Sequence, residues 1–147
     1  MIITVDTNII FSGLVNTESA IGDLLINSDD FFKFYSCAYM RYEISKHWKK
    51  LLKVSKLSEE DLNESKYRLY RKINFIREDL IPTDLWKFAE TVAANIDVDD
   101  IDFIAINEFF NAHLWTGDKE LYNGLKNNGY IKVLNTSELI ELRKMLR

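Results

Sequence analysis

The stretch Ile2-Ile3-Thr4-Val5-Asp6-Thr7-Asn8 decides how the rest of the chain is read. Four successive β-branched residues are stiff at χ1 and suit a packed, pleated strand. The run passes without a turn into Asp-Thr-Asn, whose short polar side chains cap helix N-termini. A strand that feeds straight into a helix is the opening of a strand–helix crossover unit. Helices are therefore predicted over residues 9–15 and about 19–27.

Working outward, residues 31–36 read as a second strand lacking the clean alternation of a sheet with one wet face. From Cys37 the period becomes helical: Cys37, Met40, Ile44, Trp48 and Leu51 recur at steps of three or four, while Lys46, Lys49, Lys50 and Lys53 form a separate basic stripe. Ser58-Glu59-Glu60-Asp61 predicts another helix start, with Ser58 as N-cap. That helix is expected to turn Leu62, Leu69, Ile73 and Ile76 inward and Arg68, Arg71 and Lys72 outward. A brief strand is expected over 79–82, a helix over 83–95, and a helix over 100–112 that is apolar nearly all round and hence buried. Residues 113–116 and 130–134 read as strands around a short helix near 119–126, and a last helix spans 136–146. Strands alternating with helices imply crossover connections and an α/β fold whose central parallel sheet is covered on both faces. No repeat or linker divides the chain, so residues 1–147 are read as a single domain.

Composition agrees and excludes much else. With 147 residues, 47% of them hydrophobic, the chain can bury a sizeable core in one domain. A single cysteine, Cys37, rules out an internal disulfide framework and a Cys-based zinc finger. His47 and His113 are far apart in sequence, which disfavours a histidine-rich metal site. The apolar N-terminus is interrupted by Asp6 with no cationic segment before it, so it does not read as a signal peptide. No apolar stretch approaches the roughly 18 residues that span a bilayer. A cytoplasmic protein with no membrane partner is the expectation. There is no phosphate-cradling Gly-x-x-x-x-Gly-Lys, no Gly-x-Gly-x-x-Gly and no Gly-x-Ser-x-Gly nucleophile elbow.

Charge is unevenly spread. Residues 41–77 hold 11 Lys/Arg against 5 Asp/Glu, a balance of +6, whereas the remaining 8 basic and 18 acidic residues give −10. A basic segment set against an acidic body fits a nucleic-acid enzyme with a carboxylate site, and equally fits a pair of solvated helices.

The residues left to carry chemistry are acidic. Asp6 ends the first strand, Glu43 lies on the next long helix, Asp97, Asp99, Asp100 and Asp102 crowd a helix start, and Asp118 follows a later strand. Each has a plain structural use. Asp6 and Asp118 can cap helices, Glu43 can pair with Lys46 or His47 one turn on, and the aspartates from 97 to 102 can complement a helix dipole. Their joint placement adds a second use. Ligands in parallel-sheet folds bind beyond the carboxyl ends of the strands. The sheet would bring Asp6 and Asp118 to that edge, with Asp100 entering at the start of the buried helix. Clustered carboxylates repel, and a divalent cation resolves the conflict. Oxygen-only ligands favour Mg²⁺ or Mn²⁺ over zinc, and such ions activate water against a phosphodiester.

Val5-Asp6-Thr7-Asn8, Glu43, Asp99-Asp100 before Phe103-Ile104-Ala105, and Leu114-Trp115-Thr116-Gly117-Asp118-Lys119 together resemble the PIN-domain nucleases over essentially the whole chain. Within that family the chain is similar to the VapC-type toxin ribonucleases of toxin–antitoxin pairs. The resemblance implies a three-layer α/β/α fold and a metal-dependent endoribonuclease. It also implies an acidic quartet of Asp6, Glu43, Asp100 and Asp118 holding Mg²⁺ or Mn²⁺ and the attacking water. Asn8 and Thr116 match supporting polar positions. Asp97, Asp99 and Asp102 compete with Asp100, although counting back from Phe103-Ile104-Ala105 favours Asp100. Asn107 and Glu108 stand where the family often has small apolar residues, so the buried helix is expected to pack differently there. The partners implied are an RNA substrate and an antitoxin protein, with a homodimer admitted. Lys46, Lys49, Lys50 and Lys53 are candidate RNA contacts. Two other readings compete. A haloacid-dehalogenase-like phosphatase also opens on a strand ending in Asp, but needs a second Asp where Asn8 stands. A PIN-like module that binds RNA or protein without cleaving would carry the same motifs.

Overall fold

A computed structural model describes residues 1–96 and 101–147. The first strand, β1 (Ile2–Val5), runs into α1 (Thr7–Val15) through Asp6 alone, followed by α2 (Ala20–Ile26) and β2 (Lys33–Cys37). Next come α3 (Tyr39–Lys46), α4 (Trp48–Ser55), α5 (Glu59–Tyr70), β3 (Ile73–Ile76) and a 3-10 turn at Glu78–Leu80. The second half comprises α6 (Thr83–Val92), α7 (Ile101–Phe109), β4 (His113–Trp115), α8 (Lys119–Asn127), β5 (Val133–Leu134) and α9 (Thr136–Leu146).

All strand pairs are parallel and the order is β3-β2-β1-β4-β5. The chain builds the sheet in one direction from β1 to β3, then returns through α6 and α7 to place β4 on the other side of β1. Right-handed crossovers on both journeys put α1–α5 on one face and α6–α8 on the other. The result is three layers, and it explains why Ile3, Thr4 and Val5 are buried in succession rather than alternately. The reversal of strand order falls between β1 and β4. The carboxyl edge at such a reversal is the general ligand position of these folds. Among the described residues no single helix is long and apolar enough to cross a membrane.

Three sequence expectations need correction. The helical period running through residues 37–51 covers two helices, because His47 (φ −100°, ψ 16°) leaves helical geometry between α3 and α4. The imidazole is held there edge-on to Phe11 of α1 and 3.6 Å from Glu43. Lys46 therefore ends α3, while Lys49, Lys50 and Lys53 ride on α4, all four exposed. Second, Ile73 and Ile76 belong to β3 and not to the helix before it, which ends at Tyr70. Their spacing from Leu69 mimics a helical face, but Ile73 pairs with Phe34 across the sheet. Consequently Arg71 and Lys72 lie beyond α5, and Lys72 pairs with Asp29. Third, residues 79–82 are not a strand; the 3-10 turn and Pro82 lead directly into α6.

The buried helix does carry an unusual polar contact. Asn107, fully buried on α7, donates to the Tyr130 hydroxyl (2.7 Å) and the Lys132 carbonyl (3.2 Å), and the Tyr130 hydroxyl donates to Glu108 (2.8 Å). These bonds grip the chain just before β5. The backbone ahead of Val133 is thus tied to α7, and the strand is only two residues long.

Candidate active site

Asp6 is the first residue beyond β1, and its backbone N–H reaches the Trp115 carbonyl at the end of β4 (3.4 Å). Its extended backbone (φ −80°, ψ 168°) makes it the N-cap of α1, with Oδ1 accepting from the Ile9 N–H at 3.0 Å. The capping use expected from the sequence is therefore real. Capping alone does not account for its surroundings. The carboxyl is buried at 2% exposure, and its pKa is pushed up to about 6. Burial is the main cause, and the like charge of Asp118 adds to it. Hydrogen bonds from the Thr116 hydroxyl and the Ile9 and Asn8 backbone N–H groups act in the opposite direction and do not cancel it.

Asp118 is built in the same way from β4. It caps α8, with Oδ1 accepting from the Glu120 (2.9 Å) and Leu121 (3.2 Å) N–H groups. Thr116 joins the two acids: its hydroxyl oxygen accepts from the Asp118 N–H at 3.0 Å while the hydroxyl donates to Asp6. Thr116 thus links the Asp6 carboxyl to the backbone of Asp118. Asn8 is exposed in the first turn of α1 and reaches Asp6 through its backbone N–H.

Glu43 is half-buried on α3. The Tyr39 hydroxyl donates to its carboxylate, and His47 Nε2 stands 3.6 Å from Oε2. Two contacts set the position of α3. The Ser36 hydroxyl donates to the carbonyl of Val5, immediately before Asp6 (2.7 Å). The α3 N-terminus has no cap of its own; Glu78 supplies one from beyond β3, accepting from the Tyr39 N–H at 2.7 Å. Replacing Glu78 with Ala should cost about 1 kcal/mol, the usual value of a lost cap, with a matching fall in the urea midpoint. An unchanged midpoint would mean that α3 is held by its packing alone.

Asp100 lies outside the described residues, together with Asp97 and Asp99. Asp102 is half-buried in the first turn of α7, and its charge acts on the Tyr39 phenol and the Cys37 thiol, so α7 begins opposite the start of α3. Among the described residues no three of His, Cys, Asp or Glu form a group that could hold a metal ion. What the structure brings together is Asp6, Thr116 and Asp118; Glu43 makes its contacts with Tyr39 and His47 and is not grouped with the two aspartates. Sequence reasoning passed over Tyr39 and Glu78. The i,i+4 spacing of Tyr39 and Glu43 was a usable signal, whereas nothing local ties Glu78 to Tyr39 across 39 residues.

No curated protein matches the chain. Among solved structures, the crystal structure of VapBC2 from Rickettsia felis bound to a DNA fragment from their promoter contains a chain that superposes with a TM-score of 0.66. The two are 15% identical, and the alignment covers 92% of this chain and 98% of that one. At that identity the likeness establishes the three-layer fold. The family model for the PIN domain matches residues 4–144, a span that includes Asp6, Glu43, Asp118 and the start of α7. By that match the chain belongs to the PIN-domain family.

Proposed function

We propose that this protein is a Mg²⁺- or Mn²⁺-dependent endoribonuclease, the toxin of a toxin–antitoxin pair, with Asp6, Glu43, Asp100 and Asp118 as its acidic ligands. The observation that carries this reading is the burial of Asp6 beside Asp118 at the reversal of strand order. A buried carboxylate beside a second like charge costs free energy unless a cation is shared between them. Their donor set is oxygen only, which fits a hard divalent ion. When bound, such an ion supplies a nucleophilic water and neutralises charge on the phosphodiester. The chain's own groups do the rest. Asp6 and Asp118 are locked by their capping N–H donors, so their free lone pairs keep one direction. Thr116 links the Asp6 carboxyl to the Asp118 backbone, Asn8 stands in the first turn of α1 with its N–H on Asp6, and Tyr39 and His47 orient Glu43. VapBC2, the structural neighbour, supports an antitoxin partner for this chain too.

The test is cleavage of structured and unstructured RNAs with Mg²⁺, with Mn²⁺ and with chelator. Cleavage should require the metal. Activity that persists unchanged in chelator would overturn the metal mechanism, and RNA binding with no turnover under any condition would leave a binding module.

RNA must also approach an acidic site on an acidic protein. Lys46, Lys49, Lys50 and Lys53 are the exposed lysines that follow Glu43 most closely in sequence. Each phosphate contact on a single strand adds about 0.7 to the slope of log affinity against log salt. Replacing Lys46, Lys49 and Lys50 together with Gln should therefore flatten that slope in metal-free protein. An unaltered slope would assign these lysines to solvent or to the antitoxin.

A further inference from the structure

We infer that the exposed Tyr39–Tyr42 pair on α3 is a stacking platform for a nucleobase of single-stranded RNA next to the scissile phosphate. The inference rests on the endoribonuclease reading and adds to it the part of the substrate that is gripped. Tyr39 and Tyr42 are 51% and 57% exposed, although most large apolar side chains here are buried. Their ring centroids are 5.4 Å apart with planes inclined by 34°, so the two rings pack against each other and form one exposed aromatic cluster.

Three features direct that cluster to the site. The Tyr39 hydroxyl donates to Glu43, which ties the ring to a candidate ligand. The Tyr39 N–H is pinned by Glu78 at 2.7 Å, so the helix start that carries the pair is fixed. The charge of Asp102 reaches the Tyr39 phenol, which places that ring between the starts of α3 and α7. A platform here answers a physical difficulty of the site. Carboxylates repel phosphates, while a neutral aromatic face attracts any base without adding charge. Arg41, between the two tyrosines in sequence, lays its guanidinium over Phe75 at 4.8 Å. Because every base has a π-face, the platform would hold unpaired RNA with little sequence preference, and a base locked in a duplex would not reach it.

The experiment uses metal-free full-length protein and a fluorescent, mixed-sequence oligoribonucleotide, intact or with abasic positions. Tyr42→Ala should weaken binding of the intact strand by about fivefold or more and leave binding of the abasic strand unchanged. Tyr42→Trp should retain or tighten binding, and the salt slope should be the same in all three proteins. If Tyr42→Ala and the wild type bind both strands alike, the platform is refuted. If Tyr42→Ala changes only the sedimentation behaviour of the protein, the pair is a protein contact and the inference falls. A wild type that cleaves with Mn²⁺ while Tyr42→Ala binds normally defeats the platform alone. A wild type that neither binds nor cleaves RNA defeats the nuclease reading with it.

Discussion

Asp6→Asn is expected to abolish cleavage while making the metal-free protein more stable at neutral pH. The two effects have one cause. In the wild type the carboxyl is buried beside Asp118, and its pKa is raised from 3.8 to about 6. A raised folded pKa means that the group's contribution to stability is complete below pH 3.8 and is lost as pH rises through about 6. At pH 7 the metal-free wild type has therefore lost roughly 3 kcal/mol that it had in acid. The asparagine keeps the bond from the Ile9 N–H and has no charge to bury. The melting temperatures of the two proteins should agree near pH 3.5 and diverge as the pH rises from about 4 to about 6. At pH 7 the variant should melt roughly 5–10 °C higher. Mn²⁺ should raise the wild-type melting temperature and leave the variant's unmoved. Cleavage should fall at least about 100-fold, beyond the 10- to 100-fold typical of losing an outer-shell partner of a metal. Normal cleavage by Asp6→Asn, with no change in the pH profile of melting, would reduce Asp6 to a helix cap.

The parts of the fold that were legible in the sequence are those whose signals are local. The β-branched run of β1 ends on a capping residue, and α9 opens with Asn135 and Glu138, whose side chain and backbone groups bond reciprocally as a capping box. Such elements state their own boundaries. By contrast β3 is defined by pairing with β2, from Phe34↔Ile73 to Cys37↔Ile76, nearly forty residues away. Its isoleucines sit at steps of four and three from Leu69, so a helical period extends through a strand that only the sheet specifies. The break at His47 was hidden for the same reason. The apolar positions keep their helical spacing across it, and the groups that turn the chain, Phe11 and Glu43, come from another helix and from one turn back.

The candidate site divides along the same line. Asp6 follows β1 directly and Asp118 stands three residues beyond the end of β4, so the parallel register Val5↔Trp115 brings them to the same edge. Thr116 was legible as a polar neighbour, but not as the residue whose single hydroxyl serves both acids, which depends on the exact meeting of two loops. Glu78 was illegible, because a cap supplied from another crossover leaves no spacing to read. Asp6 shows that a structural use and a chemical one are compatible. Capping by the Ile9 N–H uses one acceptor position of the carboxylate, the Thr116 hydroxyl and the Asn8 N–H use others, and the group still has acceptor capacity for a cation.

Trp115→Ala should be the most destabilising single change near the site, costing about 3–5 kcal/mol and roughly 10 °C or more in melting temperature. The indole is fully buried at the end of β4, its ring centroid 5.9 Å from that of Phe34, and its Nε1–H donates to the Thr136 hydroxyl at 3.1 Å. Truncation leaves a cavity between the sheet and the first turn of α9 and strips Thr136 of its donor. Trp115→Phe separates these losses, since it keeps most of the volume and forfeits only the hydrogen bond, about 1 kcal/mol. Denaturant midpoints should thus rank wild type, Phe and Ala in that order, and a loss below 1 kcal/mol for Ala would contradict the packing described. The consequence for function follows from position. Trp115 precedes Thr116, and its carbonyl receives the Asp6 N–H. A cavity at this point therefore loosens the two loops that Thr116 joins. Measured well below its melting temperature, Trp115→Ala should bind Mn²⁺ more weakly than wild type, whereas Trp115→Phe should bind it as well. Equal Mn²⁺ affinity in all three proteins would show that the Thr116 link alone holds the acids, without support from the core beneath it.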